Sequence, residues 1–199
     1  MSKTQQILLC VIFLAGLSLA DSWPGPTVRA IVSPDAETVV RILPGESFGD
    51  TFGFSGEKTG KFAEAFFYRR SAEDVYERYL QVTLQNPIAP VDAFITDDGI
   101  LITLDNWHNL GYGRVVAIYR RDGSLLRGYE LSALYPDEDS VARLEKSVSS
   151  VWWRCGDSKP SISSTQLRLD DSLGGYFVFN LSDGSFLYTG SGGGCSKTD

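Results

Sequence analysis

The chain has 199 residues with 18 Lys+Arg against 25 Asp+Glu, a formal net charge of −7 at pH 7. A surface of that sign repels phosphate backbones, and no Lys/Arg cluster interrupts it, so nucleic acid is not an expected partner. Beyond the apolar first 20 residues the chain has two cysteines, Cys155 and Cys195, and one distant histidine, too few for the usual four-ligand zinc set, so neither a metal nor any other cofactor is expected.

The first segment, "MSKTQQILLCVIFLAGLSLA", places Lys3 ahead of an apolar run from Ile7 to Ala20 that closes in Ser18-Leu19-Ala20. This is the pattern of a secretory signal peptide cleaved after Ala20. The run is about 14 residues, short of the roughly 20 a bilayer-spanning helix needs, so no stable membrane anchor is expected. Cys10 lies inside the run and is not read as a lipid-attachment site. Cleavage would leave 199 − 20 = 179 residues and remove Lys3, for 17 Lys+Arg against 25 Asp+Glu and a charge of −8. The organisation read from this is a signal peptide over 1–20, a single β-rich domain over 21–190 and a glycine-rich tail over 191–199. The expected location is secreted or periplasmic. An exported chain meets oxidising conditions, and Cys155 and Cys195 are the cysteines left after cleavage, so a bridge between them is expected to pin the tail to the domain.

From Val28 onward the chain reads as short strands separated by Asp-Gly or Asp-Ala turns. "AIVSPDAETVVRI" from Ala30 lies over "AFITDDGILITLD" from Ala93 at an offset of 63 residues. Between them "LPGESFGDTFGFSGEKTG", Leu43 to Gly60, carries five glycines and no sustained apolar period, and reads as a loop. "AFFYRRSAEDVYERYL" from Ala65 is a weaker copy of a later unit; Ser71 with Asp74 fits a helix capping box, but the repeat calls for a turn there. "NPIAPVD", Asn86 to Asp92, has two prolines and reads as a connector. Farther on, "AIYRRDGSLLRGYEL" from Ala117 matches "VFNLSDGSFLYTG" from Val178, at an offset of 61. In each unit β-branched and aromatic residues flank a two-residue turn in which Asp-Gly tolerates the positive φ of type I′ geometry. "SALYPDEDSVARLEKSVSS" predicts one short helix from Asp139 to Ser147, with Val141, Leu144 and Val148 on the covered face. Of Trp152 and Trp153, successive strand residues, one should be buried and the other at a rim.

Two hairpins in succession give a four-stranded antiparallel meander, which resembles a blade of a β-propeller. The resemblance covers Ala30 to Gly190 in patches. A closed propeller has four to eight blades, and this chain has room for about three. The expected fold is therefore all-β: antiparallel meanders of blade-like hairpins, about three units, forming an incomplete propeller, a sandwich or a partly open barrel, with one short covering helix.

The stretch "LDNWHNLGYG", Leu104 to Gly113, holds the single histidine among Asp, Asn, Trp and Tyr. With the "DDG" turn at Asp97, the "DG" turn at Asp122, the connector from Asn86 and "SSVWW" from Ser149, it resembles a group of uncharacterised exported bacterial proteins sharing Asp-Asn/Asp-Trp-His-x-x-Gly-Tyr-Gly. That resemblance implies a family and a fold, and no activity. Asn106, Trp107, His108 and Tyr112 are the candidate ligand-binding residues of an exported, non-catalytic binding or interaction domain. Its partner would be a protein or a carbohydrate, and the domain a monomer or homodimer. The alternative is a hydrolase with His108 as base and Asp105 orienting it; no Gly-x-Ser-x-Gly elbow accompanies them. Asp97-Asp98 and Asp170-Asp171 read as turn aspartates. The loop itself is expected to be rigid, with Trp107 mostly buried and His108 hydrogen-bonded.

Overall fold

The computed structural model describes residues 23–46, 60–156 and 160–195. The first 22 residues, with the expected signal segment, most of the glycine-rich loop after Leu43 and the last four residues lie outside these. Three four-stranded antiparallel sheets follow one another, each with its strands in chain order. Sheet 1 is β1 (Arg29–Val32), β2 (Thr38–Leu43), β3 (Glu64–Ala72) and β4 (Val75–Thr83). Sheet 2 is β5 (Pro90–Ile95), β6 (Leu101–Asn106), β7 (Val116–Tyr119) and β8 (Leu125–Tyr129). Two short helices, α1 (Leu131–Leu134) and α2 (Glu138–Ala142), and a two-stranded ribbon of β9 (Glu145–Lys146) and β10 (Val151–Trp152) lead into sheet 3. Sheet 3 is β11 (Ser161–Ile162), β12 (Gln166–Asp170), β13 (Tyr176–Asn180) and β14 (Phe186–Thr189). The fold is all-β in three blade-like meanders with no closed barrel.

The repeat maps onto the sheets. The units from Ala30 and Ala93 are the first hairpins of sheets 1 and 2, those from Ala117 and Val178 the second hairpins of sheets 2 and 3, and the weak copy from Ala65 is the β3–β4 hairpin, turning at Asp74 with φ 57°. The turns differ from expectation. At Asp97–Gly99 the Gly99 N–H donates back to Thr96 O, and at Arg121–Gly123 the Gly123 N–H donates to Arg120 O, with positive φ at the glycine and not at the aspartate. These are three-residue loops closed by a left-handed glycine, not two-residue type I′ turns. The Asp122 carboxylate instead accepts the Ser124 N–H at 2.9 Å, which holds the turn from the side chain.

The single helix expected over Asp139 to Ser147 is also corrected. Asp137 caps α2 by accepting the Ser140 N–H at 2.6 Å, and the helix stops at Ala142. Leu144 is buried, but Ser147 N–H bonds Ser150 O in a turn that pairs β9 with β10 and leaves Val148 72% exposed. Ribbon pairing thus wins over one more helical turn.

Sheet 2 is the middle layer. Along β6 and β7, alternate residues face opposite sides: Leu101, Ala117 and Tyr119 meet Val40, Ile42 and Phe67 of sheet 1, while Ile102, Leu104 and Ile118 meet Leu167, Phe177 and Phe179 of sheet 3. Both faces of sheet 2 are therefore buried, which is why β7 reads as an uninterrupted apolar run. Trp153 is fully buried in the second core and Trp152 is 36% exposed, the alternation expected of neighbours on an extended chain.

Cys155 and Cys195 form a disulfide across 40 residues. In the chain-entropy picture a loop of that size contributes about 4 kcal/mol. The Gly193 N–H also bonds Gly174 O at 3.2 Å. The two ties hold the tail against sheet 3, and the tail's glycines let the two backbones approach. Among the described residues no helix is long and apolar enough to cross a membrane.

Candidate functional site

The segment from Asp105 to Gly113 joins β6 to β7 and is a shaped loop. Asp105 and His108 take positive φ, 56° and 67°, as do Gly111 and Gly113. Asp105 is fully buried. Its Oδ1 accepts the Trp153 Nε1–H at 2.7 Å and the Gly111 N–H at 3.1 Å, and its Oδ2 accepts Arg154 Nε–H at 2.7 Å. Arg154 reaches on with Nη2 to Asp92 Oδ2 at 2.6 Å. Burial alone would lower the pKa of the Arg154 guanidinium; Asp105 and Asp92 outweigh that and hold it above its ordinary value.

Asn106 is a tie as well. It donates to Tyr112 O at 2.6 Å and accepts from Asn86 Nδ2 at 2.9 Å, and Asn86 also donates to Asp105 O at 2.8 Å. Asn86, fully buried in the connector, is a residue sequence reasoning passed over; its signal was a polar side chain beside two prolines, where the backbone offers few donors. Tyr112 packs on the core between sheets 2 and 3.

Trp107 and His108 are both withdrawn from solvent, the histidine further than the tryptophan. His108 is 7% exposed, while Trp107 is only half-buried, with its ring 5.4 Å from that of Trp23 and its Nε1–H donating to Pro24 O at 2.9 Å. The left-handed turns at Asp105 and His108 rotate the histidine inward and lay the tryptophan against the N-terminal segment. The Trp23 ring also lies 5.7 Å from the imidazole.

Desolvation pushes the His108 pKa below the ordinary 6.5. The unfolded chain therefore takes up this proton at a higher pH than the folded one. The stability carried by the neutral ring is complete above about pH 6.5 and is lost as pH falls through the folded value. Urea midpoints measured at pH 7.5 and 5.5 should fall further for the native chain than for His108→Gln; equal falls would mean that the imidazole is not desolvated in the folded state.

The other carboxylate pairs are structural. Asp171 is fully buried and accepts Gly175 N–H at 2.6 Å, Leu173 N–H at 3.0 Å and the Tyr188 hydroxyl at 2.8 Å, whose pKa burial and this carboxylate push up to about 12. Asp170 pairs with Arg168 at 3.0 Å. Asp97 accepts the Asp35 N–H at 2.8 Å and so ties the first turn of sheet 2 to that of sheet 1. No cluster of His, Cys, Asp and Glu able to hold a metal occurs among the described residues.

A second place came from the tertiary structure alone. β1, β5 and β11, the first strand of each sheet, converge on a cleft of about 540 Å³. Its walls are Ile31, Val32 and Pro34 from the first sheet, the run 93–97 from the second, and Ile162 with the two serines after it from the third. The cleft's size falls within the range of ligand sites, about 300–1,000 Å³. Two polar side chains at its margin are engaged in turns: Thr96 Oγ1 accepts Ile100 N–H at 3.1 Å and Ser163 Oγ accepts Gln166 N–H at 3.0 Å. The cleft therefore offers an apolar interior and an acidic lip at Asp97. None of the residues of the 105–113 loop lines it.

No protein-family model matches the chain, and no curated protein matches it. Among solved structures it is similar to one described as "Crystal structure of HIRA(644-1017)", at 12% sequence identity and a TM-score of 0.34, over 84% of this chain and 57% of that one. The chain thus spans little more than half the length of that structure, and its all-β architecture rests on the pairing of its own three sheets.

Proposed function

We propose that this protein is an exported, non-catalytic binding or interaction domain whose ligand seats in the cleft between β1, β5 and β11. The observation that carries the reading is the convergence of three sheets on one apolar hollow at their first strands. Sites of this kind sit where rigid elements present a concave apolar surface with few polar groups. The 105–113 loop then acts as scaffold. Its carboxylate, the one group that would orient His108 in a hydrolase, spends its lone pairs on Trp153, Arg154 and Gly111. Export agrees with the pattern of residues 1–20 and with a disulfide, which persists in oxidising compartments. A protein segment fits the apolar walls better than a carbohydrate does, because the Thr96 and Ser163 hydroxyls at the margin are already engaged in turns.

The test is a thermal-shift screen of peptides, glycans and esters against the native domain and two variants. Val32→Trp fills the cleft from an edge strand where Val32 is 54% exposed, so the core is untouched. Ligands that raise the midpoint of the native protein should lose that effect in Val32→Trp and keep it in Trp107→Ala. The reverse pattern would move the site to the loop, and turnover of an ester abolished by His108→Gln would replace the reading with the hydrolase.

A further inference from the structure

The cleft's lining on sheet 2 is five consecutive residues, 93–97. Side chains on a strand alternate between faces, so an unbroken run along one space means that the strand presents its edge to that space. β5 is the first strand of its sheet and pairs with β6 alone. The Thr96 N–H bonds Ile100 O, which turns Thr96 toward β6, and with it Phe94 two residues earlier. By the same period the backbone N–H and C=O groups of Ala93 and Ile95 turn toward the cleft. Arg29 marks this edge one step upstream, donating to Val91 O at 2.7 Å from across the gap. That carbonyl is satisfied within the chain; the next two positions along the edge, Ala93 and Ile95, line the hollow, Ile95 with its side chain in the core.

Resting on the reading that the cleft is the ligand site, we infer that it takes an extended peptide that adds as an antiparallel strand to the β5 edge, with apolar side chains on Ile31, Val32 and Ile162 and a basic first residue beside Asp97. Thr96 and Ser163 hold turn N–H groups with their hydroxyls, so the backbone groups of the β5 edge are the regular array of polar partners the cleft offers a ligand, and an extended peptide is the chemistry that meets them. β5 is the longest of the three first strands, six residues against four in β1 and two in β11. The stretch 93–97 accommodates roughly four peptide residues at about 3.3 Å each. Antiparallel addition brings the peptide's N-terminal residue to the lip formed by Asp97 and its neighbour Asp35, both exposed, in a chain of net charge −7. Opposite charge there sets the direction of the strand.

The experiment uses the mature domain, Nile red as a neutral apolar probe, and the peptide Lys-Val-Thr-Val-Thr with a dye at its C-terminus, read by fluorescence anisotropy. The peptide should bind and displace Nile red, and binding should be lost in Val32→Trp. N-methylation of the peptide nitrogens that face the β5 edge should weaken it by about tenfold. Asp97→Asn keeps an oxygen for the Asp35 N–H, and should weaken the lysine peptide while leaving a norleucine version unchanged. If Nile red binds in a Val32-dependent way but the peptide does not displace it, strand addition falls and the cleft remains the site. If methylated and unmethylated peptides bind equally, strand addition falls as well. If neither probe binds, both readings fall.

Discussion

Asp105→Ala should cost about 3–5 kcal/mol of folding stability, the usual effect of deleting one partner of a buried ion pair. The cost follows from what is left behind. Arg154, 7% exposed at its side chain, would retain only the half-exposed Asp92, and the indole N–H of the fully buried Trp153 would lose its acceptor. The Gly111 N–H loses one too, in a loop that cannot easily relax: a Cβ at Gly111 would come 2.7 Å from Val151, so this turn and β10 already touch. Asp105→Asn separates charge from shape. Asparagine tolerates the left-handed φ of 56° and keeps one oxygen for Trp153, but turns an amide toward the Arg154 donor. It should be destabilising by less than the alanine variant and by more than about 1 kcal/mol. Urea unfolding of the three proteins at one pH measures both; a loss below about 1 kcal/mol for Asp105→Ala would show that the pair contributes no more than an exposed one.

Phe177→Ala should lower stability by about 3–5 kcal/mol, the range for removing a large aromatic from a packed core. Phe177 is fully buried at the centre of the core between sheets 2 and 3. Its ring stacks on Tyr188 at 4.7 Å and meets Tyr135 edge-on at 5.3 Å and Trp153 at 5.8 Å. Rings held on several sides cannot collapse into the vacancy, so both the transfer and the cavity contributions are lost. For a domain of this size the midpoint should fall by roughly 6–20 °C in calorimetry. Leu187→Ala, one strand away but 76% exposed, is the control and should stay within about 0.5 kcal/mol of the native protein. A similar loss in both variants would mean that sheet 3 buries its other face in solution.

The repeated hairpins, their number and the sequence order of their strands were legible in the chain because each depends on neighbours within about a dozen residues. Ser-Pro-Asp-Ala at Ser33 and the Asp-Gly turns at Asp98, Asp122 and Asp183 break apolar runs at regular intervals, and an antiparallel meander needs no more than that to be specified. The bridge from Cys155 to Cys195 was legible by a different route, since the two cysteines beyond the apolar first 20 residues have one pairing within the chain. That one of Trp152 and Trp153 is inside and the other at a rim followed from the two-residue period of extended backbone; that Trp153 is the inner one did not. The helix over Asp139 to Ser147 was misread for a related reason: Val141, Leu144 and Val148 have helical spacing, and nothing local to them announces that Glu145–Lys146 will pair with Val151–Trp152.

Only the tertiary structure decided what the polar residues of the loop do and where the chain becomes concave. Asp105 next to His108 in sequence suggests an acid–base pair, yet its oxygens are satisfied from 48 and 49 residues away, by Trp153 and Arg154. A buried carboxylate must find donors wherever folding brings them, and a one-dimensional pattern does not contain that distance. The cleft is of the same kind. Ile31, Phe94 and Ile162 come from three separate sheets, each unremarkable as a first strand, and become one wall when sheet 2 buries both faces between the other two. Local periodicity states which side chains each strand turns inward; the stacking of whole sheets determines which strand edges end up facing one another.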